Sequence, residues 1–244
     1  MFKKLNIEYL RWTIRALKYR FKVEKHEIHF MLQNLKEGQS TIDIGAHKGA
    51  YTYWMSKYVG EMGQVFAFEP QPLLYKKLKN LIKISNITNI DLKMLALSSS
   101  KGNATMVIPG KETSPSATIV GNKLEGSGKR ILVKKSTLDD LFFNQNKTPI
   151  DFIKCDAEGH ELEVLLGGEK LLQKDKPIIT LECEARHCGE EKVKDVFSFL
   201  NKLNYNGFFF DGKVVSSLDN FDIYEHQLKA DKKIYVNNFF FIPR

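Results

Sequence analysis

The stretch from Thr41 to Pro70 constrains this chain more than any other. It reads Thr41-Ile42-Asp43-Ile44-Gly45-Ala46-His47-Lys48-Gly49, then an amphipathic run from Ala50 to Tyr58, then Gln64-Val65-Phe66-Ala67-Phe68-Glu69-Pro70. A β-branched apolar run, a turn with two glycines, a helical run and a second apolar run ending in a carboxylate spell a β-turn-α-β unit. Gly45 and Gly49 are expected to let the backbone turn sharply out of the strand and bring a ligand close to the main chain. Glu69 stands at the carboxyl end of the second strand, where doubly wound sheets place the acid that accepts the hydroxyls of an adenosine ribose.

What the turn lacks narrows the ligand. A dinucleotide fingerprint needs Gly-x-Gly-x-x-Gly so that the backbone can touch a pyrophosphate, and Gly45-Ala46-His47-Lys48-Gly49 has no middle glycine. There is no Gly-Lys-Ser/Thr phosphate loop either. Asp43 adds a negative group ahead of the first glycine, where S-adenosylmethionine would carry its ammonium or sulfonium charge. The Asp-x-Gly-x-x-x-Gly turn with its distal Glu therefore points to a class I methyltransferase rather than a dehydrogenase.

A chain of 244 residues with 43% hydrophobic content can bury one α/β core with length left for an extension or insertion. The sequence has no run long enough to span a membrane and no signal-peptide core behind its basic start, so a cytoplasmic protein is expected. Cys155, Cys183 and Cys188 are odd in number and read as reduced thiols. The formal charge of +8 suits nucleic acid, an anionic membrane face or a phosphorylated substrate and selects none of them.

Residues 1–39 form a basic helical extension ahead of a cofactor domain at 40–244. Lys3, Lys4, Arg11, Arg15, Lys18, Arg20, Lys22 and Lys25 alternate there with Leu10, Ile14, Leu17 and Phe21 at helical spacing. That pattern fits helices packed on the domain or on a second subunit of a homodimer more readily than a peripheral contact with a membrane or an anionic substrate. A second helix is expected from Lys25 to Leu35. After Glu69, the spacing predicts a helix from Leu73 to Ile84 and a third strand from Ile90 to Leu97. Ala96, Leu97 and Ser98 then become candidate adenine contacts.

Residues 100–136 read as an inserted β-hairpin, with short strands at Ala104 to Ile108 and Ile131 to Val133 and a flexible tip from Gly121 to Gly128. Such an insertion would lie over the carboxyl edge of the sheet as a substrate lid. The run Ile150-Asp151-Phe152-Ile153-Lys154-Cys155-Asp156-Ala157-Glu158-Gly159-His160-Glu161 drives a strand into a carboxylate cluster and a helix from Glu161 to Leu172. A further strand, Pro177 to Leu181, ends at Glu182. Asp156, Glu158 and Glu182 are thus candidate site residues, although helix N-capping accounts equally well for Asp156 or Glu158. A helix from Glu191 to Leu203 and an antiparallel pair, Phe208 to Phe210 and Asn238 to Ile242, would complete a seven-stranded sheet. The stretch holding Asp219, Asp222, Glu225 and His226 is polar and irregular.

Taken together, Ile42 to Gly49, Phe68-Glu69-Pro70, Ala96-Leu97-Ser98, Thr137-Leu138-Asp139-Asp140 and Ile153 to Glu163 resemble the FkbM family of S-adenosylmethionine-dependent methyltransferases. The likeness spans about residues 40 to 205, and the Asp-x-Glu-Gly-x-Glu block is its specific part. It implies an α/β fold, a Rossmann-like doubly wound seven-stranded sheet of the class I methyltransferase kind with its last strand antiparallel. It also implies O-methylation of a hydroxyl on a sugar, polysaccharide or secondary metabolite. The cofactor set is Asp43, Gly45, Ala46, His47, Gly49, Thr52, Glu69, Pro70, Ala96, Leu97, Ser98 and Asp156. His47 takes no role from the likeness itself.

Methyl transfer to an alcohol needs the oxygen held in line and a base for its proton. Asp156 and Glu158 are the first candidates, with His160 and His47 behind them. A divalent cation held by Asp156, Glu158 and Glu182 ranks below a metal-free site, and Cys183, His187 and Cys188 make only half a zinc site. Two other functions stay in view. A nucleic-acid methyltransferase is disfavoured by Asp156-Ala157-Glu158-Gly159 standing where an Asn/Asp-Pro-Pro-Tyr/Phe block would be, and by an acidic pocket. The other is a catalytically silent cofactor-binding scaffold.

Overall fold

The computed structural model describes residues 7–110, 112–120, 128–145 and 148–244. Most of the expected hairpin tip, residues 121–127, and Lys3 and Lys4 lie outside the described residues.

Among the described residues twelve strands form in chain order: β1 (Ser40–Ile44), β2 (Gln64–Phe68), β3 (Ile90–Lys93), β4 (Ala96–Leu97), β5 (Gly102–Ile108), β6 (Thr118–Val120), β7 (Lys129–Ser136), β8 (Phe152–Cys155), β9 (Ile178–Glu182), β10 (Tyr205–Phe210), β11 (Val215–Ser217) and β12 (Asn238–Pro243). Eight of them make the main sheet, in the order β11-β10-β12-β9-β8-β1-β2-β3. From β9 to β3 neighbouring strands run parallel, and β12 inserts antiparallel between β9 and β10. This is the expected doubly wound sheet with one addition. The extra edge strand β11 arises because both Asp211 oxygens brace the turn: Oδ1 accepts the Lys213 and Val214 N–H groups, and Oδ2 accepts the Ser216 hydroxyl.

The helices are α1 (Ile7–Lys18), α2 (Lys25–Asn34), α3 (Ala50–Val59), α4 (Pro72–Ile84), α5 (Glu161–Leu166), α6 (Glu169–Asp175), α7 (Ala185–Cys188) and α8 (Glu190–Lys202). The alternation of β2 divides the core. Val65 and Ala67 face a cluster with Trp12, Ile28, Met31 and Met55, while Phe66 and Phe68 face one with Ile153, Leu165 and Leu200. The N-terminal helices belong to the first cluster. The indole N–H of Trp12 donates to the Gly49 carbonyl at 2.8 Å and that of Trp54 to the Ala16 carbonyl at 2.8 Å, a reciprocal tie between α1 and α3. Such bonds let two large aromatic side chains be buried without stranding their donors.

Three expected elements differ. The third strand ends at Lys93, and Ala96–Leu97 pairs instead with β7 in a second sheet, β4-β7-β5-β6, which contains the inserted hairpin. The helix expected from Glu161 to Leu172 breaks at Gly167-Gly168 into α5 and α6. A Cβ on Gly167 would sit 2.1 Å from the Ser98 carbonyl oxygen, so the break lets that loop pass. The tail stretch taken as irregular is partly ordered. Gln227 is buried there, accepting from the Ala185 N–H and donating to the carbonyls of Cys183 and Val236. Among the described residues no helix is long and apolar enough to cross a membrane.

Candidate functional site

A cavity of about 1180 Å³, counting space continuous with solvent, opens at the carboxyl ends of β1, β2, β8 and β9. The inserted hairpin roofs it with Met106, Ala117 and Ile119, and the N-terminal unit walls it with Arg15, Tyr19 and Glu24. The hairpin is lashed to the end of β2 by a two-way bond. Gln71 Nε2 donates to the Ser114 carbonyl at 2.9 Å, and the Ser114 N–H donates to Gln71 Oε1 at 3.1 Å.

The loop after β1 is fixed from below. Gly45 and Ala46 N–H groups donate to the Phe68 carbonyl, and the His47 N–H donates to Glu69 Oε2 at 2.7 Å. The other carboxylate oxygen of Glu69 accepts from the Gln71 N–H at 2.8 Å. Glu69 is therefore a brace as well as a cavity wall. Each of its oxygens keeps a second lone pair, so ribose hydroxyls can still be accepted. Burial pushes its carboxyl up to about 7. His47 lines the cavity as a neutral ring, because burial, with Lys48 adding to it, lowers its pKa to about 4.

The two glycines of the turn are each crowded by protein atoms. Both have positive φ, 73° and 74°. A Cβ on Gly45 would lie 2.0 Å from the Asp156 carbonyl oxygen, and one on Gly49 would lie 2.5 Å from Leu78 Cδ1 and 3.1 Å from Trp12 Nε1. Gly45 lines the cavity, whereas Gly49 lies behind it, under α1. Thr52 is likewise behind the cavity and acts through Asp43, donating to Oδ2 at 2.5 Å.

Asp43 is fully buried, and its Oδ1 has no hydrogen-bond partner. Burial raises its carboxyl. Its counter-charge is Lys154, a residue that the sequence reading passed over. Lys154 Nζ donates to Asp156 Oδ2 at 3.1 Å and to the carbonyls of Ile44 and Gly45, and lies 3.9 Å from Asp43 Oδ1. Asp156 keeps Oδ1 buried and unpartnered. Glu24 and Tyr51, also unforeseen, complete this wall, with the tyrosine hydroxyl donating to Glu24 Oε2 at 2.6 Å. The signal for Lys154 was present: a lysine inside an apolar strand needs carboxylates around it. The signal for Glu24 was absent, since only tertiary packing brings α2 here.

Glu158 (φ 51°) and Gly159 (φ 90°) are consecutive left-handed residues that swing the loop after β8 across the cavity. Glu158 Oε2 lies 3.1 Å from His187 Nδ1, a pairing that raises the histidine's pKa. His160 also lines the cavity, with Nε2 3.0 Å from Ser98 Oγ, and burial lowers its pKa. Ser98 itself is buried outside the cavity wall, unlike Ala96 and Leu97, which line it alongside Pro70 and Ala46. Glu182 completes the rim, held by the Asn237 amide at 2.8 Å, and burial followed by the Asp156 charge raises its carboxyl. Among the described residues, no group of three or more acids, histidines or cysteines is placed to hold a metal ion; Asp156, Glu158 and Glu182 do not converge.

Six carboxylates and three basic side chains line the cavity. Asp43 and Asp156 each aim an unsatisfied oxygen into the interior around Lys154. Phe68, Ala96, Leu97 and Met106 supply an apolar wall. This arrangement fits a cationic nucleoside: carboxylate acceptors at one end, a ribose-type acid in the middle and an apolar slot beyond.

Residues 43–207 match the methyltransferase FkbM domain. The hexuronic acid methyltransferase AglP of Haloferax volcanii is 30% identical over 191 residues, covering 78% of this chain and 72% of that protein. The methyltransferase sdnD of Sordaria araneosa is 28% identical over 166 residues, 57% of this chain and 64% of its own. The crystal structure of methyltransferase FkbM from Methylobacillus flagellatus KT has the same fold, with a TM-score of 0.54 at 14% identity over 97% of this chain. This chain spans 55% of that solved chain.

Proposed function

Since the chain belongs to the methyltransferase FkbM family and is an S-adenosylmethionine-dependent methyltransferase, we propose that it methylates a hydroxyl of a sugar, a polysaccharide or a secondary metabolite. One observation carries this reading. A single cavity is lined by Glu69 and Asp43 on one side and by Asp156, Glu158 and His160 on the other.

S-adenosylmethionine supplies the methyl group on a positively charged sulfur. On this chain Asp43 and Asp156 would hold its cationic end, Glu69 its ribose hydroxyls, and Ala96, Leu97 and Phe68 its adenine. The remaining task is to hold an acceptor oxygen in line and take its proton. Glu158 is the base in this reading. Its carboxylate faces the cavity with His187 3.1 Å behind it, so a proton arriving on the pair is stabilised by a partner that reaches solvent. His160, its pKa lowered by burial, lines the same cavity with its ring held against Ser98. An acceptor site rimmed by Glu158 and Glu182 suits a hydroxyl donor better than a phosphate backbone.

The likeness to a hexuronic acid methyltransferase makes uronic acids and their oligosaccharides the first acceptors to try. The test is transfer of labelled methyl from S-adenosylmethionine to a panel of uronic acids, neutral glycans and RNA, with the product located by mass spectrometry. A methyl ether on a glycan or metabolite is expected. Transfer to RNA alone, or tight cofactor binding without turnover on any hydroxyl, would sink the proposal.

A further inference from the structure

Helix α1 turns Trp12 and Ala16 into the core and leaves a second apolar stripe in the open. Ile7, Leu10, Ile14 and Leu17, continued by Phe21 in the following turn, recur at alternating steps of three and four. They are 65%, 41%, 56%, 38% and 63% exposed. One exposed isoleucine is ordinary, but five large apolar side chains in register along one face form a continuous patch that water solvates poorly. Arg11, Lys18 and Lys22 are exposed along its flank. The acids of this segment are spoken for: Glu8 pairs with Arg11, and Glu24 turns inward to Tyr51.

We propose that this face docks on an anionic membrane surface, with the apolar stripe at the acyl boundary and the lysines and arginines among the headgroups. The charges decide between a bilayer and a second copy of the chain. An isologous dimer across this stripe would bring Lys18 and Lys22 against the same cations of its partner, whereas anionic lipid neutralises them. Arg15 and Tyr19, on the same segment, line the cavity, so docking places the cavity mouth beside the bilayer and favours acceptors presented there. The surface itself does not depend on what the enzyme methylates.

The experiment is flotation of the full chain with vesicles of phosphatidylcholine alone and of phosphatidylcholine mixed with phosphatidylglycerol, alongside light scattering of the free protein. Binding to the mixed vesicles only, lost at high salt, is expected. The double substitution Ile14→Asp, Phe21→Asp should cut the bound fraction about tenfold, as should Arg11→Glu with Lys18→Glu, while S-adenosylhomocysteine binding stays intact and shows that both variants fold. Absence of flotation, equal binding to uncharged vesicles, or a dimer that Ile14→Asp, Phe21→Asp splits into monomers would each overturn the proposal.

Discussion

The ammonium of Lys154 lies 3.1 Å from Oδ2 of Asp156, two residues further on, where β8 runs out into the cavity. Burial opposes its charge, but the attraction of Asp156, Asp43 and Glu24 outweighs it, and the group titrates above its ordinary value. Lys154 is thus the counter-ion that lets Asp43 and Asp156 line the same cavity.

Replacing it with the similarly shaped Lys154→Met leaves those carboxylates buried without a cation. Removing one member of a buried ionic set costs about 3–5 kcal/mol, so the urea midpoint should drop accordingly. S-adenosylhomocysteine should bind more weakly, because protonated acids are poor acceptors for its ammonium group. Unchanged stability would mean that Lys154 is not the counter-ion.

If Glu69 holds the cofactor ribose, it makes cofactor binding depend on pH. Its carboxyl is raised from 4.5 to about 7 by burial. Below that value it carries a proton and is the poorer acceptor for ribose hydroxyls. Affinity for S-adenosylhomocysteine, measured by calorimetry, should therefore rise as pH rises through about 7 and level off above it. Glu69→Gln should flatten the profile, and Glu69→Ala should weaken binding about tenfold or more, as expected for hydrogen bonds to a charged group. A flat wild-type profile with unchanged affinity in both variants would remove Glu69 from the ribose.

What sequence could read here was local. The unit from Thr41 to Glu69 and the carboxylates after β8 declare themselves through spacing within a few residues. The role of Lys154 depends on Asp43, and that of Gly49 on Trp12 and Leu78, partners far apart in the chain. Periodicity predicted one helix from Glu161 to Leu172 because nothing nearby shows the Ser98 carbonyl pressing on Gly167. Glycine spacing marked Gly45 and Gly49, and only the fold could show that the Asp156 carbonyl crowds the first and that Leu78 and Trp12 crowd the second. The same limit explains why Thr52 and Ser98 sit behind the cavity wall, holding Asp43 and His160 in place.

Glu161 is the hidden support of the carboxylate loop. Its Oε1 accepts the N–H groups of Ala157 and Gly159, each at 3.0 Å. Glu161→Ala strands both donors and should cost about 2–4 kcal/mol, while Glu161→Gln keeps an acceptor oxygen and should recover most of it. Burial raises this carboxyl to about 8. The folded chain then keeps a proton that the unfolded chain gives up, so stability falls as pH rises from about 4.5 through about 8. Denaturant midpoints across that range should decline less steeply for Glu161→Gln than for wild type. Parallel profiles would refute the assignment.

Glu158 and Asp156 can be separated by kinetics. If Glu158 takes the acceptor proton, Glu158→Gln should lower kcat by about 10²–10⁴-fold, the usual range for a general base. S-adenosylhomocysteine affinity should stay within about threefold, because Glu158 is bound to His187 rather than to the Lys154 network. Asp156→Asn should show the opposite balance: it removes the partner of Lys154, so cofactor affinity should fall first. His187→Asn offers a third reading, since it leaves the Glu158 carboxylate in place but takes away its support. An intermediate loss of kcat is expected there. Full turnover in Glu158→Gln with loss of kcat confined to Asp156→Asn would move the base to Asp156 and leave the Glu158–His187 pair as a clamp on the loop.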